Sequence, residues 1–350
     1  MAENKTSRRD LLHQTALAAG AGMLLAPQLG QAQAPPAGRG GGRGRGGAPQ
    51  GPSPIVNPDA SADQPWMQFY PKGFRTEKVK TSGAVINTVI GGSGPPVLFF
   101  HGAPESLIAW RLVAPDLAKE YTCVMCDLRG YGDSSKPADQ PDHSSQSKRP
   151  MALDGVEVME HLGFRQFRMV GHDRGGRVGR RMALDHPDRI LKLTVLDIVP
   201  AHYLYSHVTI EFVQAYFHWF NYLQRSPIPE NQLKMTNDAA LATATDPVRK
   251  EFLRNNADML TIHAMCEDYR ASASIDLRND EADVKAGKKI QCPLHVLWAA
   301  NGAMGRLYDV LGIWKDEGVN VTGKGLPGGH DLQESAPKET LAELQAFLKG

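Results

Sequence analysis

The segment Gly171-His172-Asp173-Arg174-Gly175 places one reactive side chain between two glycines. An apolar run over residues 167–170 precedes it, and helical spacing follows over 176–186. Strand, tight turn and helix in that order present a nucleophile. The turn is strained, so small residues must flank the reactive one, and the N–H groups of the helix start favour negative charge. The residue at the apex is Asp173. A carboxylate is ionised at neutral pH and attacks without a base. Its natural targets are saturated carbons bearing a leaving group. Displacement leaves an ester on Asp173, which water must then cleave.

Capping the helix is the other role an aspartate could have here. Its surroundings favour catalysis. Asp197 ends the next strand, in Leu196-Asp197-Ile198-Val199-Pro200, and His330 follows the last one in Pro327-Gly328-Gly329-His330. Nucleophile, acid and histidine thus come in the chain order of a hydrolytic triad on this kind of turn. His101-Gly102 ends an earlier strand. The backbone N–H groups of Ala103 and Arg174 are therefore expected to hold an oxyanion.

Arg174 and Arg177 open the same helix, one turn apart. Cations are unfavourable at a helix N-terminus, so the pair calls for an anionic partner. Guanidinium groups suit a carboxylate, which they bind through paired hydrogen bonds. Arg180 and Arg181, farther along, are expected to be surface charge.

The elements that must position these groups alternate. Residues 74–81 and 84–90 read as a hairpin turning at Ser82-Gly83. Strands follow at 97–100, 121–126, 167–170, 190–197, 294–299 and 319–323, with helices at 107–119, 146–162, 176–186, 306–315 and 337–348. Such alternation implies a mostly parallel sheet flanked by helices. It pauses over residues 201–288, which look helical and carry Tyr216-Phe217-His218-Trp219-Phe220. That insertion, after the sixth strand, is expected to cap the strands' C-terminal ends, where open α/β sheets place their sites. The core is then 66–200 with 289–350.

Gly171-His172-Asp173-Arg174-Gly175-Gly176-Arg177 resembles the fluoroacetate (haloacetate) dehalogenase family of the α/β hydrolases. Supporting stretches are Val195-Leu196-Asp197-Ile198-Val199-Pro200, Tyr216-Phe217-His218-Trp219-Phe220, His263-Ala264-Met265-Cys266-Glu267-Asp268-Tyr269-Arg270 and Gly305-Arg306-Leu307-Tyr308-Asp309-Val310. The resemblance covers about residues 66–348. It implies an α/β-hydrolase fold and hydrolysis of a small 2-haloacid to hydroxyacid and halide, with no metal or organic cofactor. It also implies that Arg174 and Arg177 hold the substrate carboxylate and that His218, Trp219 and Tyr269 receive the halide. Two residues depart from the pattern: Ala103 is small, and Asp331 beside His330 could raise the histidine's pKa or compete for its orientation. An epoxide hydrolase with the same nucleophile is the nearest rival, with Tyr216, Tyr222 and Tyr269 available to protonate the epoxide oxygen. A non-catalytic exported carboxylate-binding protein is a rival of another class. It needs the arginines but not His330.

Composition sets outer limits. The 350 residues carry 39 basic and 38 acidic side chains, so no charge imbalance argues for nucleic acid or a membrane surface. A homodimer is compatible with the sequence. The first 34 residues hold Arg8-Arg9, a short apolar run and Ala32-Gln33-Ala34. They read as a twin-arginine export signal, implying a periplasmic or secreted mature protein with no membrane span. Residues 35–65 contain a Gly/Arg/Pro-rich tract that cannot bury a core and should be a solvated spacer. Cys123 and Cys126 lie three apart on a strand and should face opposite sides, so they make a poor disulfide. Cys266 and Cys292 have no evident partner, and all four are expected to be core thiols.

Overall fold

The computed structural model describes residues 64–349. The export signal expected over 1–34, and all but the last two residues of the spacer expected over 35–65, lie outside the described residues. Eight strands make one sheet: β1 Arg75–Lys80, β2 Val85–Gly91, β3 Pro96–Phe100, β4 Thr122–Cys126, β5 Phe167–His172, β6 Ile190–Leu196, β7 Leu294–Ala299 and β8 Val321–Leu326. Their spatial order is β1-β2-β4-β3-β5-β6-β7-β8. β1–β2 and β2–β4 pair antiparallel, and all later pairs are parallel. The hairpin turns at Ser82-Gly83, where the Thr81 N–H donates to Ala84 O at 2.8 Å.

Both faces of the sheet are covered, so central strands read as continuous apolar runs. Leu98, Phe100, Val124 and Cys126 enter one apolar layer, whereas Val97, Phe99, Cys123 and Met125 enter the other. Cys123 and Cys126 therefore face opposite ways, and all four cysteines are free.

Helices α1 Ala114–Leu117, α2 Lys148–His161 and α3 Asp173–Asp185 belong to the first part of the core. Between β6 and β7 come seven helices: α4 Ala201–Ser206, α5 Ile210–Ala215, α6 Phe217–Asn221, α7 Ile228–Thr243, α8 Pro247–Asn256, α9 Met259–Ser272 and α10 Ile275–Lys285. The chain ends with α11 Ala303–Leu307, α12 Val310–Lys315, α13 Leu332–Ser335 and α14 Pro337–Lys349. Among the described residues no helix is long and apolar enough to cross a membrane.

Several expected elements differ in extent. The helix expected over 107–119 is a 3₁₀ turn, Leu107–Trp110, followed by the single turn α1. Pro115 sits at the start of α1 and has no N–H with which to continue an earlier helix. The helix expected over 306–315 is divided into α11 and α12, because the Asp309 carboxylate accepts from the Gly312 N–H at 3.0 Å and starts a new helix. The strand expected over 319–323 is β8, paired with β7 as far as Leu326↔Ala299. Its two glycines conceal it, since glycine disfavours strands.

Arg180 and Arg181 are not surface charge. Both are buried. Arg180 donates from Nε to Glu317 and from Nη1 to Asp280, each at 2.8 Å. Arg181 reaches Asp280 at 2.6 Å and Asp283 at 2.5 Å. Buried charges persist only when paired in this way. The Asp280 and Asp283 pairs tie α3 to α10, from residues about 100 positions away.

His263 of α9 makes a comparable tie. Its Nε2 lies 2.6 Å from Asp139 Oδ2 of a core loop, and its Nδ1 lies 3.1 Å from Glu230 Oε1 of α7. These two hydrogen bonds raise its pKa to about 10 against the opposing effect of burial. A raised histidine pKa gives stability that is complete below the unfolded value, about 6.5. That stability is lost as pH rises through about 10. The Tm gap between wild type and His263→Gln should therefore be widest below about pH 6.5 and close towards about pH 10. A gap constant over that span would mean that His263 contributes only by packing.

Candidate active site

β5 runs directly into α3 at Asp173, whose φ is +41°. A left-handed backbone is strained for a non-glycine residue and needs the surroundings to hold it. The flanking glycines are required for space. A Cβ on Gly171 would lie 2.5 Å from Gly175 O, and one on Gly175 would lie 2.4 Å from Phe100 O. The Asp173 carboxylate is buried, and its Oδ2 accepts from the Ala103 N–H at 3.2 Å. The Arg174 N–H belongs to the first turn of α3, where no intrahelical acceptor exists.

Asp197 follows β6 with φ +51°. Its N–H donates to Leu297 O at 2.7 Å, and its Oδ1 accepts from the Ala299 N–H at 2.8 Å. Oδ2 lies 2.6 Å from His330 Nδ1. The imidazole is thus oriented by Asp197, with Nε2 as its free nitrogen. Burial would lower the His330 pKa, but the hydrogen bond and charge of Asp197 outweigh it and raise the pKa.

A second histidine backs the first. His172 Nδ1 is 2.8 Å from Glu105 Oε2, and its Nε2 is 3.1 Å from His330 O. Glu105 also accepts from the Gly102 N–H at 2.7 Å and from Gln333 Nε2 at 2.8 Å. Burial opposes charge on His172, but Glu105 overrides it and brings the pKa to about 10. His172 is therefore a cation donating from both nitrogens. Asp331 lies 3.8 Å from His172 Nε2, while the His330 ring is held by Asp197.

Burial alone would raise the Asp173 pKa, but His330, Arg174, Arg177 and His172 together bring it to about 2. The Arg174 side chain is fully buried, and its Nε and Nη2 are held by Asp268. Arg177 donates from Nη1 to Val199 O at 2.9 Å. Arg174 Nη1 and Arg177 Nε are buried with no partner among the described residues.

His218 and Trp219 of α6 meet Tyr269 of α9. The Tyr269 ring centroid is 5.9 Å from that of His218 and 5.7 Å from that of Trp219. Arg174 Cζ lies 4.3 Å from the Tyr269 centroid, and Arg177 Cζ lies 4.7 Å from that of Trp219. Burial lowers the His218 pKa to about 4, so its imidazole is neutral at pH 7 and keeps one N–H donor. Every side chain singled out by sequence for catalysis, carboxylate or halide thus converges around Asp173.

Among the described residues two clusters bring three metal-capable groups together: His172, His330 and Asp331, and Asp139, His263 and Glu267. In the first, both His172 nitrogens are taken by Glu105 and His330 O, and His330 Nδ1 by Asp197. In the second, both His263 nitrogens are taken by Asp139 and Glu230, and Arg270 occupies Glu267 at 2.8 Å. Neither donor set fits a metal well.

A family model described as "alpha/beta hydrolase fold" matches residues 95–310. A fluoroacetate dehalogenase from Burkholderia sp is 42% identical over 79% of this chain and 94% of its own length. The chain belongs to the fluoroacetate dehalogenase family of α/β hydrolases. A soluble epoxide hydrolase of Corynebacterium sp. (strain C12) is 29% identical over 76% of this chain and 94% of its own. Among solved structures, ALR0039 of Nostoc sp PCC 7120, assigned to the α/β hydrolases, has TM-score 0.74 and 45% identity. It covers 79% of this chain and 98% of its own.

For this α/β hydrolase, sequence gives no signal for Glu105, Gln333 or Asp268 as parts of the site. Glu105 and Gln333 meet 228 residues apart, and Asp268 meets Arg174 94 residues apart. The one local hint is that Asp268 adjoins Tyr269 within a stretch that resembles the family.

Proposed function

We propose that the protein hydrolyses small 2-haloacids such as fluoroacetate or chloroacetate to the hydroxyacid and halide, through an ester on Asp173. One observation carries this reading. Two buried guanidinium groups beside the carboxylate each keep a donor without a partner among the described residues. An unpaired buried donor costs about 1–3 kcal/mol, and more when charged. A substrate carboxylate spanning Arg174 Nη1 and Arg177 Nε removes that cost and holds the α-carbon near Asp173.

In this scheme an Asp173 oxygen attacks the α-carbon and halide leaves with the bonding electrons. The His218 and Trp219 N–H groups and the Tyr269 hydroxyl solvate the departing anion. His330, oriented by Asp197, takes a proton from water, which attacks the ester carbonyl. The Ala103 and Arg174 N–H groups hold the oxyanion. Its collapse breaks the ester bond, restores Asp173 and expels the hydroxyacid's alkoxide, which takes the proton from His330. The relative that acts on fluoroacetate supports the substrate class.

The epoxide hydrolase reading draws on Tyr216, whose ring lies 6.3 Å from that of His330, and on Tyr222, 5.0 Å from Tyr269. A neutral epoxide leaves both arginine donors unpaired, which argues against it. Incubation with fluoroacetate, chloroacetate and styrene oxide separates the readings: halide release is expected, and diol formation alone would reverse the assignment. Arg177→Met should raise KM for chloroacetate about 10- to 150-fold, the equivalent of ~1.5–3 kcal/mol for hydrogen bonds to a charged group. An unchanged KM would remove Arg177 from the carboxylate site.

A further inference from the structure

The Arg174 guanidinium is gripped from the cap side by one residue. Asp268 is completely buried on α9. Its Oδ2 accepts from Arg174 Nε at 2.8 Å, and its Oδ1 accepts from Arg174 Nη2 at 2.6 Å. Its backbone carbonyl accepts a further bond from Nη2 at 2.9 Å. The carboxylate is itself fixed, by the Tyr131 hydroxyl at 2.7 Å and by Lys148 Nζ. The next residue, Tyr269, lays its ring over the guanidinium, 4.3 Å from Cζ. A guanidinium is planar and rigid, so holding two nitrogens fixes the direction of the third. The third is Nη1, a buried donor without a partner among the described residues.

We infer that Asp268 is the positioning residue of the carboxylate subsite, holding Arg174 so that Nη1 alone is presented to the substrate. The inference rests on the proposed 2-haloacid chemistry for the identity of that carboxylate. It also links two subsites, since the helix that orients Arg174 carries Tyr269 on the next residue.

Charge balance and positioning predict opposite signs. If Asp268 merely neutralised Arg174, Asp268→Asn would leave the subsite more positive, and an anion would bind more tightly. If Asp268 aims Nη1, the same change frees the guanidinium and the anion binds more weakly. Asp268→Asn is expected to raise KM for chloroacetate about tenfold or more and to change kcat less. KM does not depend on the folded fraction, so a purely stabilising role would lower apparent kcat and leave KM alone. The Kd for acetate, by calorimetry, should rise in parallel. Tyr131→Phe, which loosens the carboxylate, and Asp268→Glu, which displaces it, should give smaller shifts of the same sign. These two carry the test if Asp268→Asn does not fold. KM and Kd unchanged or lowered in all folded variants would overturn the inference, and so would a wild type that fails to bind acetate. A wild type that binds acetate but releases no halide would refute the 2-haloacid reading alone, and the acetate Kd values would still decide the role of Asp268.

Discussion

Asp173→Asn is expected to lower kcat for haloacetate by about four to six orders of magnitude, as when a covalent nucleophile is removed. Asparagine tolerates the left-handed region about as well as aspartate, so the φ of +41° should persist. The amide oxygen can still accept from Ala103. What is lost is the negative charge, and an amide does not displace halide. The same charge repels a substrate carboxylate, so the variant should bind acetate as well as wild type or better. It should also be less stable at neutral pH, because Arg174, Arg177, His330 and His172 favour the charge and bring the pKa to about 2. A depressed pKa gives stability that is present above the unfolded value, about 3.9, and lost as pH falls through the folded one. The urea midpoint gap should therefore shrink on acidification. Retention of more than about a hundredth of the wild-type kcat would exclude Asp173 as the nucleophile.

The parts of this site that were legible in the sequence are the parts that local sterics dictate. Gly171 and Gly175 announce the turn because each has backbone oxygen where a Cβ would stand. The alternation of Val97, Leu98, Phe99 and Phe100 between two layers follows from the strand repeat. Asp197 and His330 could be chosen because each ends or follows a strand whose order in the sheet the βα rhythm implies. The electrostatic frame was not legible. Arg180 and Arg181 read as solvated charge until Asp280, Asp283 and Glu317 are folded against them. Asp268 looks like any acidic residue on a helix, and Glu105 like loop polarity. Such pairs depend on how the cap lies on the core, and no periodicity encodes that contact. The misplaced ends of elements have a simpler cause, since Pro115, Asp309 and the glycines of β8 act within one turn of a boundary that apolar spacing alone does not locate.

His330→Asn should separate the two halves of the proposed reaction. Displacement requires Asp173 and the arginines, and none of them depends on the imidazole as a base. Halide should therefore appear as a burst of about one equivalent per active site, after which turnover falls by about two to four orders of magnitude, the usual worth of a general base. Mass spectrometry should find a carboxyalkyl ester, carboxymethyl for a haloacetate, on the peptide carrying Asp173. Acid pH should mimic the variant in the wild type. Asp197 raises the His330 pKa despite burial, so protonation removes the base on the acid side of a value above the ordinary 6.5. Asp173 remains ionised down to about pH 2. Between those limits displacement continues while ester hydrolysis stalls, and the ester should accumulate as pH falls. Single turnover of wild type in ¹⁸O-labelled water checks the same order, because water attacks the ester carbonyl carbon and the label should enter the Asp173 carboxylate first. Label in the hydroxyacid from that first turnover, with none in Asp173, would mean that water attacks the substrate directly. His330→Asn should then abolish the burst rather than expose it.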